Sequence, residues 1–170
     1  EAPLAVQSKY YYKPADARGQ GMQQDNIYLW SEPRTCSGAW NAHDDVDKEN
    51  GGMMVAPKSH ELDIICDKHV ADKGAFNGGT LPMPKGYKAV PTEMKAGDAL
   101  FFNGQLIHGS PPNRTSDRWR RSFICHYVPE TTEKLSKFYH PILNMRGETV
   151  SRQINDSGGP CGGQWQGAEH

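Results

Sequence analysis

Short runs of alternating apolar and polar positions dominate the first 130 residues, and no long apolar stripe of helical period interrupts them. Period-two alternation puts successive side chains on opposite faces of a pleated strand. On that basis strands are predicted over residues 9–13, 26–30, 35–42, 53–56, 87–90, 99–102 and 119–128. Turn-forming residues punctuate them at 48–52, 57–59, 97–98 and 111–117. Residues 67–86 are polar and glycine-rich and read as a long loop, a type that is commonly functional or mobile. After Thr131 and Thr132, Leu135 and Phe138 lie three apart, which predicts a single short helix over 130–139. The glycine-rich tail 156–170 is expected to be irregular, held only if Trp165 packs. Many short strands without an internal repeat give an all-β sandwich, jelly roll or barrel, and periodicity alone does not choose among these.

Composition narrows the picture. With 170 residues the chain is expected to be one domain, 1–170, large enough to bury a core. Lys and Arg number 19 against 20 Asp and Glu, interspersed throughout, for a net charge of −1. That speaks against a nucleic-acid surface, since Arg118, Arg120 and Arg121 form the only dense basic cluster. No stretch approaches the roughly 20 apolar residues of a membrane span, and no secretory apolar region opens the chain. The first residue is Glu1, so a processed product or a piece of something longer is expected, with any targeting segment removed. Cysteines at 36, 66, 125 and 161 form no C-x-x-C pair and match no zinc module. They are expected to be free thiols in a reducing intracellular compartment, cytoplasm or organelle matrix.

The candidate chemistry gathers around His108-Gly109-Ser110-Pro111-Pro112-Asn113 and Arg120. A Gly97-Asp98 turn leads into an apolar strand, then a histidine, then an arginine on the next strand. This order suits a metal-binding His108 beside an Arg120 whose planar fork holds a ligand carboxylate, with the Ser110 hydroxyl helping. Upstream stand Gln23-Gln24-Asp25-Asn26-Ile27-Tyr28, Trp40-Asn41-Ala42-His43-Asp44-Asp45, Glu49-Asn50-Gly51-Gly52 and Pro57-Lys58-Ser59-His60.

In this order, from about residue 19 to 127, the motifs resemble the phytanoyl-CoA dioxygenase family of Fe(II)- and 2-oxoglutarate-dependent oxygenases. The resemblance implies a double-stranded β-helix, or cupin-like jelly roll, and a face of two histidines and one carboxylate around Fe(II). It makes Asp25 the carboxylate ligand and His108 the distal histidine. Arg120, helped by Ser110, would bind the far carboxylate of 2-oxoglutarate, with Trp40 and Tyr28 lining the pocket. The implied activity is hydroxylation of a small organic substrate with release of CO2 and succinate. Asp25 favours hydroxylation over halogenation, because halogenating relatives lack that carboxylate.

Gln23 stands where the family has its first metal-binding histidine. Three outcomes stay open: its amide oxygen ligates weakly, water takes the place, or the site has lapsed. The last makes the chain a structural or binding subunit of a larger complex. His43 is a replacement candidate, although alternation from an inward Trp40 points it outward and brings Ala42 and Asp44 inward. A third reading is a metal enzyme independent of 2-oxoglutarate, using His43, Asp45 and His108. Asp44, Asp45, Asp47 and Glu49 otherwise read as a solvated acidic turn, and His126 as a core or edge residue. Relatives carry a longer N-terminal portion, so a missing or reduced front is expected, with a partner chain covering the exposed strand edge.

Overall fold

A computed structural model describes residues 2–66, 70–156, 159 and 161. In chain order the elements are β1 (Pro3–Lys13), β2 (Gln20–Gln23), α1 (Asn26–Leu29), β3 (Ser37–Ala42), β4 (Met54–Val55), β5 (Val70–Ala71) and β6 (Gly79–Thr80). Then follow β7 (Val90–Pro91), β8 (Ala99–Asn103), β9 (His108–Ser110), β10 (Arg120–Pro129), β11 (Lys134–Leu135), β12 (Ile142–Leu143), β13 (Thr149–Val150) and β14 (Gln153–Ile154). A six-stranded sheet runs β13-β12-β1-β10-β3-β8, and a four-stranded sheet runs β2-β9-β4-β7. Their inner faces meet as a jelly roll, the double-stranded β-helix that the motifs imply.

The long strands β1, β10 and β3 are antiparallel neighbours, with Lys13 opposite Arg120 and Trp40 opposite Ile124. On β10, Arg120, Ser122, Ile124, His126 and Val128 are buried while the residues between them are more exposed. Alternation therefore turns one polar-tipped row of β10 into the barrel. Trp40, Phe102 and Ile124 of the large sheet pack with Val46 and Met53, and Val55 of the small sheet joins them. A second cluster, Leu4, Leu29, Val128, Leu135 and Ile142, closes the other end.

Several elements differ from the sequence-based expectation. Residues 26–30 were expected to be a strand, but α1 is a single helical turn that Trp30 ends at φ 53°. The Asn26 N–H is committed to the Gly104 carbonyl and those of Ile27 and Tyr28 to Gln24 and Asp25, so this backbone leaves the ladder. The expected helix over 130–139 is replaced by β11 and a 3₁₀ turn at Lys137–Tyr139. β11 pairs in parallel with β14, a partner some twenty residues onward that local periodicity does not reveal. The loop 67–86 contains the small hairpin β5–β6, and its 67–69 stretch lies outside the described residues. That hairpin lies along β2: the Met22 N–H donates to Thr80 Oγ1, and the Leu81 N–H to the Met22 carbonyl. Trp165 and most of the tail also lie outside the described residues.

The thiol expectation is corrected at two positions. Cys66 and Cys161, 95 residues apart in sequence, have Cα atoms 5.3 Å apart and form a disulfide. Cys36 and Cys125 are free, Cys36 being buried. With that bond the cysteine-based argument for a reducing compartment falls away. Among the described residues no helix is long and apolar enough to cross a membrane.

Candidate active site

β9 lies in the middle of the small sheet, where His108 is opposite Gln23 of β2 on one side and Val55 of β4 on the other. Its ring is buried and packs on Phe102 at a centroid distance of 4.7 Å. Its Nδ1 lies 3.0 Å from the Leu106 carbonyl oxygen. A carbonyl only accepts, so Nδ1 carries a proton, and in the neutral ring Nε2 carries the lone pair. That Nε2 lies 3.5 Å from Asp25 Oδ1. With the ring neutral, two acceptors face each other in a buried space, an arrangement that a cation between them, or a proton on Nε2, would satisfy.

Asp25 follows β2 rather than belonging to it, and sits at the start of α1. Gln23 is the last residue of β2 and Asp25 lies beyond it, yet the turn brings both side chains together. Gln23 Nε2 donates to Asp25 Oδ1 at 2.9 Å, and Gln23 Oε1 accepts from Gln20 Nε2 at 3.2 Å. The other carboxylate oxygen takes a 3.0 Å hydrogen bond from His126 Nε2, while His126 Nδ1 is buried with no hydrogen-bond partner among the described residues. Burial alone would raise the Asp25 carboxyl. Protonated, the His108 and His126 imidazoles outweigh it by their positive charge, with hydrogen bonds from His126 and Gln23, and hold it well below the usual carboxylate range. His126 is therefore a core residue, as expected, but one bonded to the candidate ligand. Counting by twos from Arg120 was the signal that could have found it.

Arg120 projects from the same row of β10 and is only 5 % exposed. Its Nε donates to the Gly51 carbonyl at 3.1 Å and its NH1 group to Ser122 Oγ at 2.6 Å. Both partners are neutral, and burial pushes the guanidinium down to about 10. Trp40 lies with its ring centroid 5.7 Å from the guanidinium carbon, and Tyr11 at 6.0 Å. The Tyr11 phenol is raised to about 12 by burial and by Asp25, with Arg120 opposing, so Tyr11 senses both ends of the site. Tyr28 is half-buried on α1 and is raised to about 12 by burial and then by Asp25; it belongs to the Asp25 end.

Ser110 was expected beside Arg120. Its hydroxyl oxygen accepts from Lys13 Nζ at 2.8 Å, while the hydroxyl that contacts the guanidinium itself is that of Ser122. Lys13 also donates to the Gly51 and Pro111 carbonyls. Sequence reading missed Tyr11, Lys13 and Ser122. Lys13 gave no signal of its own, because lysine is seldom fully buried.

The acidic turn works outside the barrel. His43 is exposed and bonds Tyr10 at 2.9 Å, as alternation predicts, and does not approach Asp25. Asp44 was expected to point inward but pairs with Arg121, while Asp45 pairs with Lys95 and Asp47 with Arg118. β3 ends at Ala42, so alternation no longer governs Asp44. The turn's other product is structural: buried Asn50 bonds the Asp45 and Trp119 carbonyls, and Gly51 at φ 78° aims its carbonyl at Lys13 and Arg120. A Cβ on Gly51 would come within 2.7 Å of Lys13 Cδ and 2.8 Å of the Pro111 oxygen.

The family profile of phytanoyl-CoA dioxygenase (PhyH) matches residues 2–122. A phytanoyl-CoA dioxygenase of Arabidopsis thaliana is 30% identical over 136 residues, covering 79% of this chain and 48% of the plant protein. The peroxisomal phytanoyl-CoA dioxygenase of Bos taurus is 32% identical over 161 residues, covering 90% and 46%. The chain thus spans about half the length of the curated relatives it matches. Among solved structures, the non-heme monooxygenase ThoJ superposes with a TM-score of 0.63 at 20% identity over 93% of this chain and 55% of its own. SnoN, an epimerase of nogalamycin biosynthesis solved with Fe3+, alpha ketoglutarate and nogalamycin RO, superposes with a TM-score of 0.61 at 26% identity, covering 78% and 52%. The chain belongs to the phytanoyl-CoA dioxygenase family.

Proposed function

We propose that this chain carries the site of an Fe(II)- and 2-oxoglutarate-dependent oxygenase that hydroxylates a small organic molecule. One observation carries the reading: the His108 Nε2 lone pair faces the ionised Asp25 carboxylate at 3.5 Å, in a buried space. Two ligands bound at right angles with bonds of about 2.1 Å stand about 3 Å apart, so the pair fits a metal with a slight approach. The Nδ1–H bond of His108 to a backbone carbonyl is the support that metal-ligating histidines ordinarily have.

In this reading Asp25 and His108 hold Fe(II), and Gln23 completes the face through its amide. As oriented, Gln23 presents its NH2 group to Asp25, so ligation requires the amide to turn its oxygen inward. His126 keeps the second carboxylate oxygen occupied, which orients the first. Arg120 receives the far carboxylate of 2-oxoglutarate, with Ser122 beside it, and Trp40 and Tyr11 shield that pair from water. Fe(II) with 2-oxoglutarate supplies the oxidising chemistry, in which one O2 is consumed and CO2, succinate and a hydroxylated product are formed. The carboxylate at 25 occupies the position a halide would need, which favours hydroxylation. SnoN, 26% identical, was solved in complex with Fe3+ and alpha ketoglutarate, which supports the same assignment here.

A second reading, a lapsed oxygenase kept as a binding subunit, is favoured by one observation. The Gln23 amide closes on Asp25 by itself, and among the described residues no three His, Cys, Asp or Glu side chains converge to hold a metal. Release of labelled CO2 from 1-[14C]-2-oxoglutarate separates the two. An active oxygenase gives slow iron-dependent release even without substrate, abolished in both Asp25→Ala and Arg120→Ala. Release that is absent, or that survives in Asp25→Ala, contradicts the oxygenase reading.

A further inference from the structure

Lys13 and Arg120, two cations when both are protonated, lie side by side in this barrel with no counterion among the described residues. Lys13, the last residue of β1, is directly opposite Arg120 across the β1–β10 ladder. Each is 5 % exposed. Both donate to one acceptor, the Gly51 carbonyl oxygen, each at 3.1 Å. Their remaining partners are the Ser110 hydroxyl and Pro111 carbonyl for Lys13 and the Ser122 hydroxyl for Arg120, all neutral. Among the described residues neither forms an ion pair with a carboxylate. Like charges directly opposite on one sheet face destabilise a fold, and buried charge is ordinarily paired. Burial and the Arg120 charge push the Lys13 ammonium down to about 7, which is the energetic trace of that missing partner.

We propose that Lys13 is a positioning residue for the far carboxylate of 2-oxoglutarate, forming with Arg120 a two-cation pocket that the cosubstrate's negative charge completes. This rests on the oxygenase reading above. All three Lys13 N–H groups are already engaged, by Gly51, Ser110 and Pro111, so Lys13 acts without bonding the ligand itself. It contributes charge, and it fixes two groups that face the ligand. The Gly51 carbonyl that Lys13 holds also steers the Arg120 fork. The Ser110 oxygen accepts from Lys13, which directs the hydroxyl proton elsewhere, and Ser122 is in the same state beside Arg120. The pocket thus offers a guanidinium and two hydroxyl donors, backed by a second positive charge. Such a set suits a carboxylate and disfavours a neutral acid derivative.

The test compares two keto acids that differ only at the far end. 2-Oxoglutarate and 2-oxopentanoate are titrated by calorimetry into Mn(II)-loaded wild-type chain, Lys13→Met and Lys13→Gln. Melting temperatures establish that the variants are folded, and the glutamine variant serves if the methionine variant is not. Lys13 replacement is expected to weaken 2-oxoglutarate by at least about tenfold, in line with a charge-assisted contribution. Binding of 2-oxopentanoate, which lacks the far carboxylate, is expected to change little. Equal losses for both acids, or no loss for 2-oxoglutarate while Arg120→Ala still abolishes binding, overturn the role of Lys13 alone. Failure of the wild-type chain to bind 2-oxoglutarate overturns the oxygenase reading and this inference together.

Discussion

Replacing Arg120 with methionine is expected to stabilise the ligand-free protein while destroying its cosubstrate site. The guanidinium is buried beside Lys13, bonded among the described residues only to the Gly51 carbonyl and the Ser122 hydroxyl, and burial pushes it down to about 10 from an ordinary 12.5. At about 1.4 kcal/mol per pKa unit, its charged form costs the folded state on the order of 3 kcal/mol. Methionine removes that cost and retains most of the apolar stem packed against Trp40 and Tyr11. It also leaves two acceptors short of a donor, roughly 1 kcal/mol each, and these have other partners or can rotate. The balance is a gain of about 1 kcal/mol, which for a chain of this size raises the melting temperature by about 2–4 °C. Thermal unfolding monitored by circular dichroism at neutral pH, without metal or 2-oxoglutarate, measures it. Calorimetric titration of the same variant with 2-oxoglutarate is expected to show no binding. A loss of 1 kcal/mol or more in the ligand-free state would refute the reasoning, because Arg120 would then serve the fold and not a missing anion.

Gln23→His places an imidazole beside Asp25, and Mn(II) affinity read by electron paramagnetic resonance is expected to rise at least about tenfold; an unchanged affinity means position 23 does not face the metal. Between about pH 7 and 10.5, Lys13, lowered to about 7, is charged in the unfolded chain but largely neutral in the ligand-free fold, where no anion favours its charge. The unfolded chain binds more protons in that window, so this site's stability rises from about pH 7 to 10 by up to about 1.4 kcal/mol per unit. Urea unfolding at pH 7 and 9.5 tests it, and Lys13→Met is expected to flatten the slope. Cys66→Ser opens a loop whose ends are 95 residues apart, with an entropic ceiling of about 4–5 kcal/mol; a lower melting temperature, reproduced by reducing the wild-type chain, is expected.

Part of the site was legible: the layout around His108 and Arg120 suggested a metal ligand beside a carboxylate clamp, and the family resemblance supplied Asp25, which the structure brings within 3.5 Å of His108. Alternation alone sent His43 outward, and would have found Ser122 and His126 had it been continued along β10 from Arg120. Lys13 was illegible because its role depends on burial, and its position after three tyrosines reads as an ordinary strand end. Ser110 was read with Arg120 alone because nothing local shows that Lys13, at the end of β1, donates to its hydroxyl. In the fold, the long strands followed from local pattern. α1 and β11 did not, since each is decided by distant partners, Gly104 for one and β14 for the other. The Cys66–Cys161 bond joins positions whose sequence spacing carries no message.

The facing of Asp25 and His108 around a metal with its keto acid is tested most directly by one spectrum. Purified chain is mixed anaerobically with Fe(II) and 2-oxoglutarate, and the visible metal-to-ligand charge-transfer band is sought. The band is expected in the wild-type chain and expected to vanish in Asp25→Ala. Its absence from the wild-type chain, with its appearance in Gln23→His, would contradict the oxygenase reading and mark this site as one that the glutamine has closed.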